Sequence, residues 1–440
     1  MMLVGWGRYP RIDAKLSTPR TVEALQALAQ QGNAIARGNG RAYGDSAVSV
    51  ENTIHMKHFN RMLAFDAESG QLVAEAGVLL ADVIEAFLPR GWFPAVTPGT
   101  KFVTLGGMIA ADVHGKNHHK DGSFGNYVDW IDVLTADGTV QRCSKTENTE
   151  LFEWTIGGMG LTGVMLRAAI RLRPVNSAWI EQRTLVANNI KHAIDLFEQS
   201  QDVTYSVAWI DCLQKGSALG RSLVMLGEHA EANAVPSRYR KHPLQTPVKR
   251  KLGIPVDFPS WTLNSLSVRA FNALYYWKGQ RKPEQQLVDW DSYFYPLDAI
   301  LGWNKIYGRL GFVQFQCVIP LKHAEQGLSE LLDAIASAGA GSFLAVLKRF
   351  GAQESRFSFP MEGYTLALDF PVNAKTLALM NELDNITLQH NGRFYLAKDS
   401  RMPRDVFRQS ERRADAYQNY RQGQGASAAY SSAQSERLGL

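Results

Sequence analysis

The sequence predicts an α+β protein with two domains, the second built on an antiparallel sheet flanked by helices. Three observations predict this class. The chain has 440 residues, more than one hydrophobic core usually serves. Short strand and helix patterns alternate through its first part, and longer strand-like runs separated by amphipathic helices fill the later part. We therefore expect a first domain over residues 1–176, a second over residues 177–392 and a C-terminal segment over residues 393–440.

The elements of the first domain are predicted from local patterns of apolar and turn-forming residues. Val22, Leu25 and Leu28 recur at helical spacing, and Gly32 ends this helix. Alternating apolar residues and flanking turn signals indicate the strands. Helices are expected at 21–31 and 80–88, and strands at 34–37, 71–76, 128–136 and 166–172.

The second domain is predicted from an amphipathic helix and three strand-like runs, at 323–338, 203–210, 311–319 and 364–370. We expect its helices on one face of the sheet. Gln314 and Gln316 lie two residues apart on a predicted strand, so their side chains point to the same face. This pair would be available to hydrogen-bond a ligand if the face is covered rather than exposed, and the apolar Phe312, Phe315 and Val318 favour a covered sheet.

Composition and charge exclude several classes of function. The net charge of +5 suits an anionic ligand or an anionic membrane surface, and no zinc-finger or helix-turn-helix spacing supports nucleic-acid binding. Cys143, Cys212 and Cys317 are odd in number and form no CxxC pair, which argues against a disulfide framework and favours a reducing compartment. The first residues lack an apolar signal core, and no stretch is apolar enough to span a bilayer. We expect a cytoplasmic protein whose membrane contact, at the inner membrane, is peripheral.

One segment combines basic and aromatic residues. Between residues 249 and 282 it contains Lys249, Arg250, Lys251, Trp261, Arg269, Phe271, Tyr275, Tyr276, Trp277, Lys278, Arg281 and Lys282. Residues 262–277 are predicted to form a helix with an apolar side and a basic rim. The functional interpretation is that this helix contacts a membrane interface or covers a lipid-tailed substrate. The structural interpretation is that it is an ordinary packed helix with solvated flanks. The sequence leaves both interpretations open.

Four glycine-rich motifs lie in the predicted first domain, at 36–45, 98–110, 112–125 and 157–163. Glycine lets backbone N–H groups approach a phosphate or a planar ring closely, although any one of these motifs alone fits a tight turn. The third motif also contains His114, Lys116, His118 and His119. Because Lys116 would repel a cation, we predict no metal site there. An anion or sugar-hydroxyl site with His114 and Lys116 as donors is more natural.

The order of the segments GNGRAYGD, TLGGMIAADVHGKNHH and GGMGLTGV resembles the FAD domain of the vanillyl-alcohol-oxidase, or PCMH-type, flavoproteins. Within that superfamily, HGKNHH and AKDSR resemble the decaprenylphosphoryl-β-D-ribose 2-oxidase family, and the resemblance runs nearly from end to end. It implies a two-domain PCMH-type FAD-binding fold in which the C-terminal segment returns to complete the first domain.

The resemblance also implies a cofactor site. The residues that match the family's FAD contacts are Arg37, Gly38, Asn39, Gly40, Arg41, Ala42, Tyr43, Gly99, Thr104, Leu105, Gly106, Gly107, Asp112, His114, Gly115, Asn117, Val164 and Tyr395. Covalently flavinylated relatives carry a histidine in the first glycine loop, where this chain has Arg41 instead. Non-covalent FAD is therefore expected.

The activity implied by the resemblance is oxidation of the 2-hydroxyl of a polyprenyl-phosphate-linked ribose to a 2-keto sugar. This is the first half of epimerisation to arabinose, and a separate NAD(P)H-dependent reductase would complete it. The residues implied as catalytic are Lys398, His114 and Lys116, and those implied in substrate binding are Gln314, Gln316, Lys348, Thr365 and Ala367. Either Lys398 or His114 is the base that takes the hydroxyl proton.

Two departures from the mycobacterial pattern concern the substrate pocket. Ala367 stands where those relatives carry a cysteine, and Thr365 stands where they carry an asparagine. Neither change removes a required acid or base, but both alter the pocket. The alternatives are an oxidase of a soluble sugar, aldonolactone or nucleoside, and a non-enzymatic scaffold, for which degenerate flavin loops would be expected.

Overall fold

The computed structural model describes residues 1–249, 252–259, 264–342 and 344–440. The first part contains an antiparallel sheet with the strand order Val140–Ser144, Val128–Leu134, Val164–Pro174, Gln71–Glu75 and Met62–Asp66, and Trp92–Pro94 also pairs with Val164–Pro174. A parallel sheet is formed by Leu16–Ser17, Asn52–His55 and Ala34–Arg37, and a small antiparallel pair by Met2–Val4 and Arg11–Asp13. The helices are Val22–Ala29, Leu80–Phe87, Leu105–Ala110, His118–Asp121 and Thr149–Thr155.

The predicted elements of this part are confirmed, with shifted ends. The helix Val22–Ala29 begins after Thr21, whose hydroxyl accepts a hydrogen bond from the Ala24 N–H. The strand Val164–Pro174 is longer than predicted because neighbouring strands pair with it on both sides.

The later part is built on a larger antiparallel sheet, as predicted. Its strand order is Gln285–Asp289, Trp179–Ala187, Ser222–His229, Tyr205–Ile210, Ala345–Phe350, Gly363–Pro371, Phe312–Pro320 and Arg393–Phe394. Three helices, Ile190–Glu198, Ala324–Ala338 and Ala374–Gln389, pack together over one face of this sheet. The remaining elements are Trp290–Phe294, Ser265–Gln280 and the parallel pair Leu252–Gly253 and Ile300–Leu301.

The two faces of the larger sheet are divided by the alternation of its strands. Residues such as Phe315, Leu347 and Leu366 point toward the helices and join the main hydrophobic core. Their neighbours Gln316 and Lys348 point the other way, toward the first part of the chain. Both predicted glutamines therefore lie on a covered face, and each is about 6% exposed, which excludes the solvent-facing alternative.

The helix Ser265–Gln280 lies on the cavity side, opposite the three packed helices. Its Tyr276 packs against Trp209 and Leu223, so the expectation that all helices share one face is wrong. Asn264 caps its first turn by accepting hydrogen bonds from the backbone N–H groups of Leu266 and Ser267. The sequence predicts this helix over residues 262–277. Its start and the predicted Arg250, Lys251, Trp261 and Thr262 lie outside the described residues.

The C-terminal segment starts in the larger sheet and then crosses to the first part of the chain. Arg393–Phe394 pairs with Phe312–Pro320, whereas Tyr417 and Tyr430 donate hydrogen bonds to the carbonyls of Gly158 and Leu134. Its helices are Arg404–Ser410, Ala414–Gly423, Ala426–Ala429 and Ala433–Leu438. We keep residues 1–176, 177–392 and 393–440 as a proposed division into domains.

The structure describes the cysteines and the lengths of the helices. Cys143, Cys212 and Cys317 are buried, free thiols. Within the described ranges, no helix has the length and apolar character needed to cross a bilayer.

Candidate functional site

A cavity of about 400 Å³ lies between the glycine-rich loops of the first part and the open face of the larger sheet. Its floor is formed by the loops at 38–43, 97–100 and 103–107. Its opposite wall is formed by side chains of adjacent strands and of the following segment, namely Gln314, Gln316, Val346, Lys348, Thr365, Ala367, Tyr395 and Lys398. A cavity of this size accommodates a cofactor or substrate.

The first glycine loop follows the strand Ala34–Arg37, and backbone hydrogen bonds hold its last residues in place. The backbone N–H of Tyr43 donates to the carbonyl of Ala397, and the carbonyl of Ala42 accepts from Trp6. In the described part of the protein, the backbone N–H groups of residues 39–42 have no hydrogen-bond acceptor. Successive free N–H groups beside a cavity form a cradle for an anionic group such as a phosphate.

The second loop is attached to the later part of the chain. The hydroxyl of Thr100 and the backbone N–H of Lys101 donate to the Asp298 carboxylate at 2.9 and 2.8 Å. Thr104 caps the helix Leu105–Ala110, and a Cβ atom at Gly38 would lie 2.2 Å from the Thr104 hydroxyl. Only glycine at position 38 therefore lets the first loop pack against the second.

The histidine-rich motif divides between the cavity and the protein interior. His114 and Lys116 line the cavity, as predicted for donors to a ligand. His118 hydrogen-bonds to the Gln353 amide at 2.8 Å, and His119 donates to the Val203 carbonyl at 2.8 Å. These two histidines join the motif to other segments. Among the described residues, no cluster of potential metal ligands is found.

His114 is buried and held from several sides. Its Nε2 accepts from the Gln316 amide at 3.1 Å, and the same amide nitrogen donates to the Thr365 hydroxyl at 3.2 Å. Its ring lies 4.6 Å from that of Phe350 and 5.3 Å from that of Tyr395. Burial, with the nearby Lys348 charge, keeps the pKa of His114 well below its usual value. The imidazole is therefore neutral near pH 7.

Lys398 places a cationic side chain beside the last residue of the first loop. Its ammonium lies 3.8 Å from the ring centroid of Tyr43, and among the described residues it makes no hydrogen bond or ion pair. Burial lowers the pKa of Lys398, the negative charge of Asp369 raises it, and Lys348 lowers it. On balance the pKa of Lys398 is lowered, so its ammonium loses a proton at a lower pH than a surface lysine does.

Asp369 was not predicted from the sequence. It is fully buried and accepts a hydrogen bond from the Gln314 amide at 2.5 Å, and burial raises its pKa. The sequence could have indicated Asp369, because it lies on the same face of the predicted strand as Thr365 and Ala367.

Two further lysines add positive charge to the cavity. The Lys116 ammonium donates to the Tyr293 carbonyl and lies 4.1 Å from the Tyr293 ring centroid. Burial and the Lys348 charge lower the pKa of Lys116 to about 7, and burial lowers the pKa of Lys348 to about 8. These groups are charged at neutral pH only in part, and a bound anion would favour their charged forms.

Most of the predicted site residues line the cavity. These are Gly38, Asn39, Gly40, Arg41, Ala42, Tyr43, Gly99, Thr104, Gly106, Gly107, His114, Lys116, Gln314, Gln316, Lys348, Thr365, Ala367, Tyr395 and Lys398. The structure also brings lining residues to the cavity that were not predicted as site residues, namely Trp6, Trp209, Met225, Tyr275 and Leu344.

Six predicted cofactor residues do not line the cavity: Arg37, Leu105, Asp112, Gly115, Asn117 and Val164. Arg37 donates to the Val4 carbonyl at 2.7 Å, and Asn117 donates to the Ala95 carbonyl at 2.8 Å. Asp112 accepts from the Ser123 hydroxyl at 2.6 Å and from the Gly125 N–H at 2.7 Å. In the structure the side chains of Arg37, Asp112 and Asn117 therefore join neighbouring segments and do not line the cavity.

Comparison with known proteins gives a consistent assignment. The FAD binding domain family matches residues 14–144. A decaprenylphosphoryl-β-D-ribose oxidase from Mycolicibacterium smegmatis is 36% identical over all of this chain and 97% of its own. An uncharacterized protein from Streptomyces coelicolor is 32% identical over 82% of this chain and 100% of its own. L-Gulonolactone oxidase from Bos taurus is 30% identical over 43% of each chain. The chain therefore belongs to the decaprenylphosphoryl-β-D-ribose oxidase family and is an FAD-dependent oxidoreductase with a PCMH-type fold.

Proposed function

We propose that this enzyme oxidises the 2-hydroxyl of a polyprenyl-phosphate-linked ribose to the 2-keto sugar. One observation carries the proposal. Gln314, Gln316, Lys348 and Lys398 face the glycine loops across one continuous cavity. Hydrogen-bonding amides and cations on that wall suit a ribose that carries a phosphate, whereas a neutral soluble sugar would not use the cations.

The residues of the cavity fit FAD. The free backbone N–H groups of residues 39–42 and the open approach at Gly99, where a Cβ would meet no atom within 4 Å, suit a dinucleotide lying along the loops. Arg41 stacks over the Trp6 ring at 4.0 Å, and no histidine is present in this loop. We propose that FAD is held without a covalent bond.

Oxidation of a secondary alcohol removes a hydride from carbon and a proton from the hydroxyl. FAD, when bound, is the hydride acceptor that this reaction requires. We assign the proton to Lys398, because its ammonium borders the cavity and burial favours its neutral form. His114 is the weaker candidate, since its Nε2 is already occupied by Gln316. We assign His114 to orienting Gln316.

The two glutamines would hold the ribose hydroxyls. The amide nitrogen of Gln314 is used by Asp369, and that of Gln316 by His114 and Thr365. Each amide oxygen therefore remains available to accept from a sugar hydroxyl. Ala367 follows Thr365 on the same strand face and leaves more room in this wall than a larger side chain would.

We further propose the partners of the reaction. The 2-keto product can be reduced from its other face, which gives the arabinose epimer, and a separate NAD(P)H-dependent reductase would supply that hydride. A polyprenyl substrate is anchored in a membrane by its tail, so the enzyme would act in peripheral contact with a membrane surface.

Anaerobic reduction of the flavin tests the proposed function. Purified holoenzyme is mixed without oxygen with polyprenyl-phosphoryl ribose, ribose 5-phosphate, free ribose and an aldonolactone, and flavin absorbance is followed. We expect rapid bleaching by the lipid-linked ribose alone. Equal or faster bleaching by a free sugar or a lactone would replace the proposal with a soluble-substrate oxidase. A chain that contains no flavin after purification or reconstitution would support the non-enzymatic scaffold.

The charge of Lys348 gives a pH prediction. Lys348 is charged below its pKa of about 8 and neutral above it, so attraction for a phosphate-bearing substrate falls as the pH rises through that value. We expect KM for the lipid-linked ribose to rise about tenfold between about pH 7 and pH 9. Steady-state kinetics across this range would measure the rise.

The matched control is Lys348→Arg, because a guanidinium stays charged throughout that range. Its KM is expected to change much less with pH. If the wild-type KM is constant, or if the arginine variant shows the same rise, Lys348 does not bind the substrate phosphate.

A further inference from the structure

The helix Ser265–Gln280 has apolar residues on two sides. Val268, Asn272 and Tyr276 are buried, and they recur every four residues on the side that faces the protein. A second row, formed by Leu266, Ala270, Leu274 and Trp277, recurs every three or four residues on the opposite side. Leu266 is 76% exposed, Leu274 50% and Trp277 46%. A row of exposed large apolar residues marks an interaction surface.

The helix is firmly attached, so the exposed row is a fixed feature. Asn272 donates to the Asp211 carboxylate at 2.9 Å, and the Tyr276 hydroxyl donates to the Ala187 carbonyl at 3.2 Å. Rotation that would bury the outer row would break both hydrogen bonds and expose Val268.

The charged residues in this stretch of the sequence have one sign. No Asp or Glu occurs between Asp257 and Glu284, whereas Arg269, Lys278, Arg281 and Lys282 lie in this stretch. The Arg281 guanidinium lies 3.8 Å from the Trp277 ring centroid, which places a cation beside an exposed indole. Tryptophan and basic side chains around an apolar row favour the surface of an anionic bilayer.

The helix also borders the catalytic cavity. Tyr275 lines the cavity, is 39% exposed, and packs on the cavity residue Trp209 with ring centroids 4.6 Å apart. A lipid tail that left the cavity beside Tyr275 would therefore run along this helix.

We propose that the outer row of the helix Ser265–Gln280 docks on the surface of an anionic lipid bilayer and places the cavity entrance at that surface. The proposal deepens the proposed function, because it names the surface from which a lipid-linked substrate would enter. The docking itself is independent of any turnover.

Vesicle flotation with the holoenzyme tests the docking. The probes are vesicles of phosphatidylcholine alone and of phosphatidylcholine mixed with phosphatidylglycerol. We expect at least about tenfold stronger binding to the anionic vesicles, weakened by salt. The double variant L266Q/L274Q is expected to lose about tenfold or more of this binding. The matched control is Leu63→Gln, which removes an exposed leucine from an edge strand of the first part.

The outcomes separate the alternatives. Absent binding of wild type to anionic vesicles, or equal binding by L266Q/L274Q, would overturn the proposal. So would sedimentation velocity showing that the row joins two copies of this chain, with a wild-type dimer that the double variant loses. FAD content and thermal stability of the variants report on folding. If vesicle binding behaves as expected but no lipid-linked ribose reduces the flavin, the proposed substrate is wrong and the docking surface stands.

Discussion

Replacement of Lys398 by alanine is expected to slow anaerobic flavin reduction by about 10³-fold, within the range of about 10² to 10⁴ that a positioned base contributes. The physical reason is the location of its ammonium, which lies in the cavity wall beside Tyr43 and lacks a hydrogen-bonding partner among the described residues. FAD content should remain unchanged, because the glycine loops that would hold the cofactor are intact. Stopped-flow absorbance with the lipid-linked ribose measures the rate.

Two comparisons make the Lys398 prediction specific. A small alkylamine in the buffer is expected to restore part of the rate of Lys398→Ala, since the amine can occupy the vacated space and accept the proton, whereas a purely structural defect would not respond. Lys15→Ala removes an exposed lysine and should behave as wild type. A rate for Lys398→Ala within about threefold of wild type, with a much slower His114→Asn, would transfer the role of base to His114.

Replacement of Tyr417 by alanine is expected to destabilise the protein by about 3–5 kcal/mol, which is typical when a buried aromatic side chain is removed. Tyr417 is fully buried, stacks on Trp154 with centroids 5.2 Å apart, and donates a hydrogen bond to the Gly158 carbonyl. Met159 and Gly160, the next residues of that glycine motif, line the cavity. We therefore expect Tyr417→Ala also to release FAD more readily.

Chemical denaturation and the FAD content after gel filtration measure these two effects. Tyr417→Phe keeps the ring and should lose only about 0.5–1.5 kcal/mol, the usual contribution of one hydrogen bond. Tyr420→Ala is the matched control, because Tyr420 also stacks on Trp154, at 5.4 Å, but is only half-buried. If Tyr417→Ala and Tyr420→Ala are equally mild, the C-terminal segment does not hold the fourth glycine motif in place.

The outer row of the helix Ser265–Gln280 shows where local patterns mislead. The sequence predicts a helix with one apolar side, yet apolar residues lie on two sides, one packed on the sheet and one exposed. Which side contacts the protein depends on the sheet beneath it, and a helical repeat alone carries no information on that contact.

The six predicted cofactor residues that do not line the cavity show that a motif does not fix the direction of its side chains. Arg37, Asp112 and Asn117 belong to motifs that approach the cavity, but their side chains turn toward backbone carbonyls, hydroxyls and N–H groups of neighbouring loops. A motif gives the path of the backbone near the ligand. The direction of each side chain depends on which partners the surrounding loops offer.

The sequence by itself determined the fold class, the strands and helices with strong periodicity, the glycine loops and the family. These depend on local spacing: alternation along strands, helical repeats, and glycine where the backbone must approach closely, as at Gly38 beside Thr104. Only the tertiary structure decided how the charged groups of the cavity affect one another. Lys398, Lys348 and Asp369 lie far apart in the chain, and their protonation depends on burial and mutual distance, which exist only once the larger sheet packs over the loops.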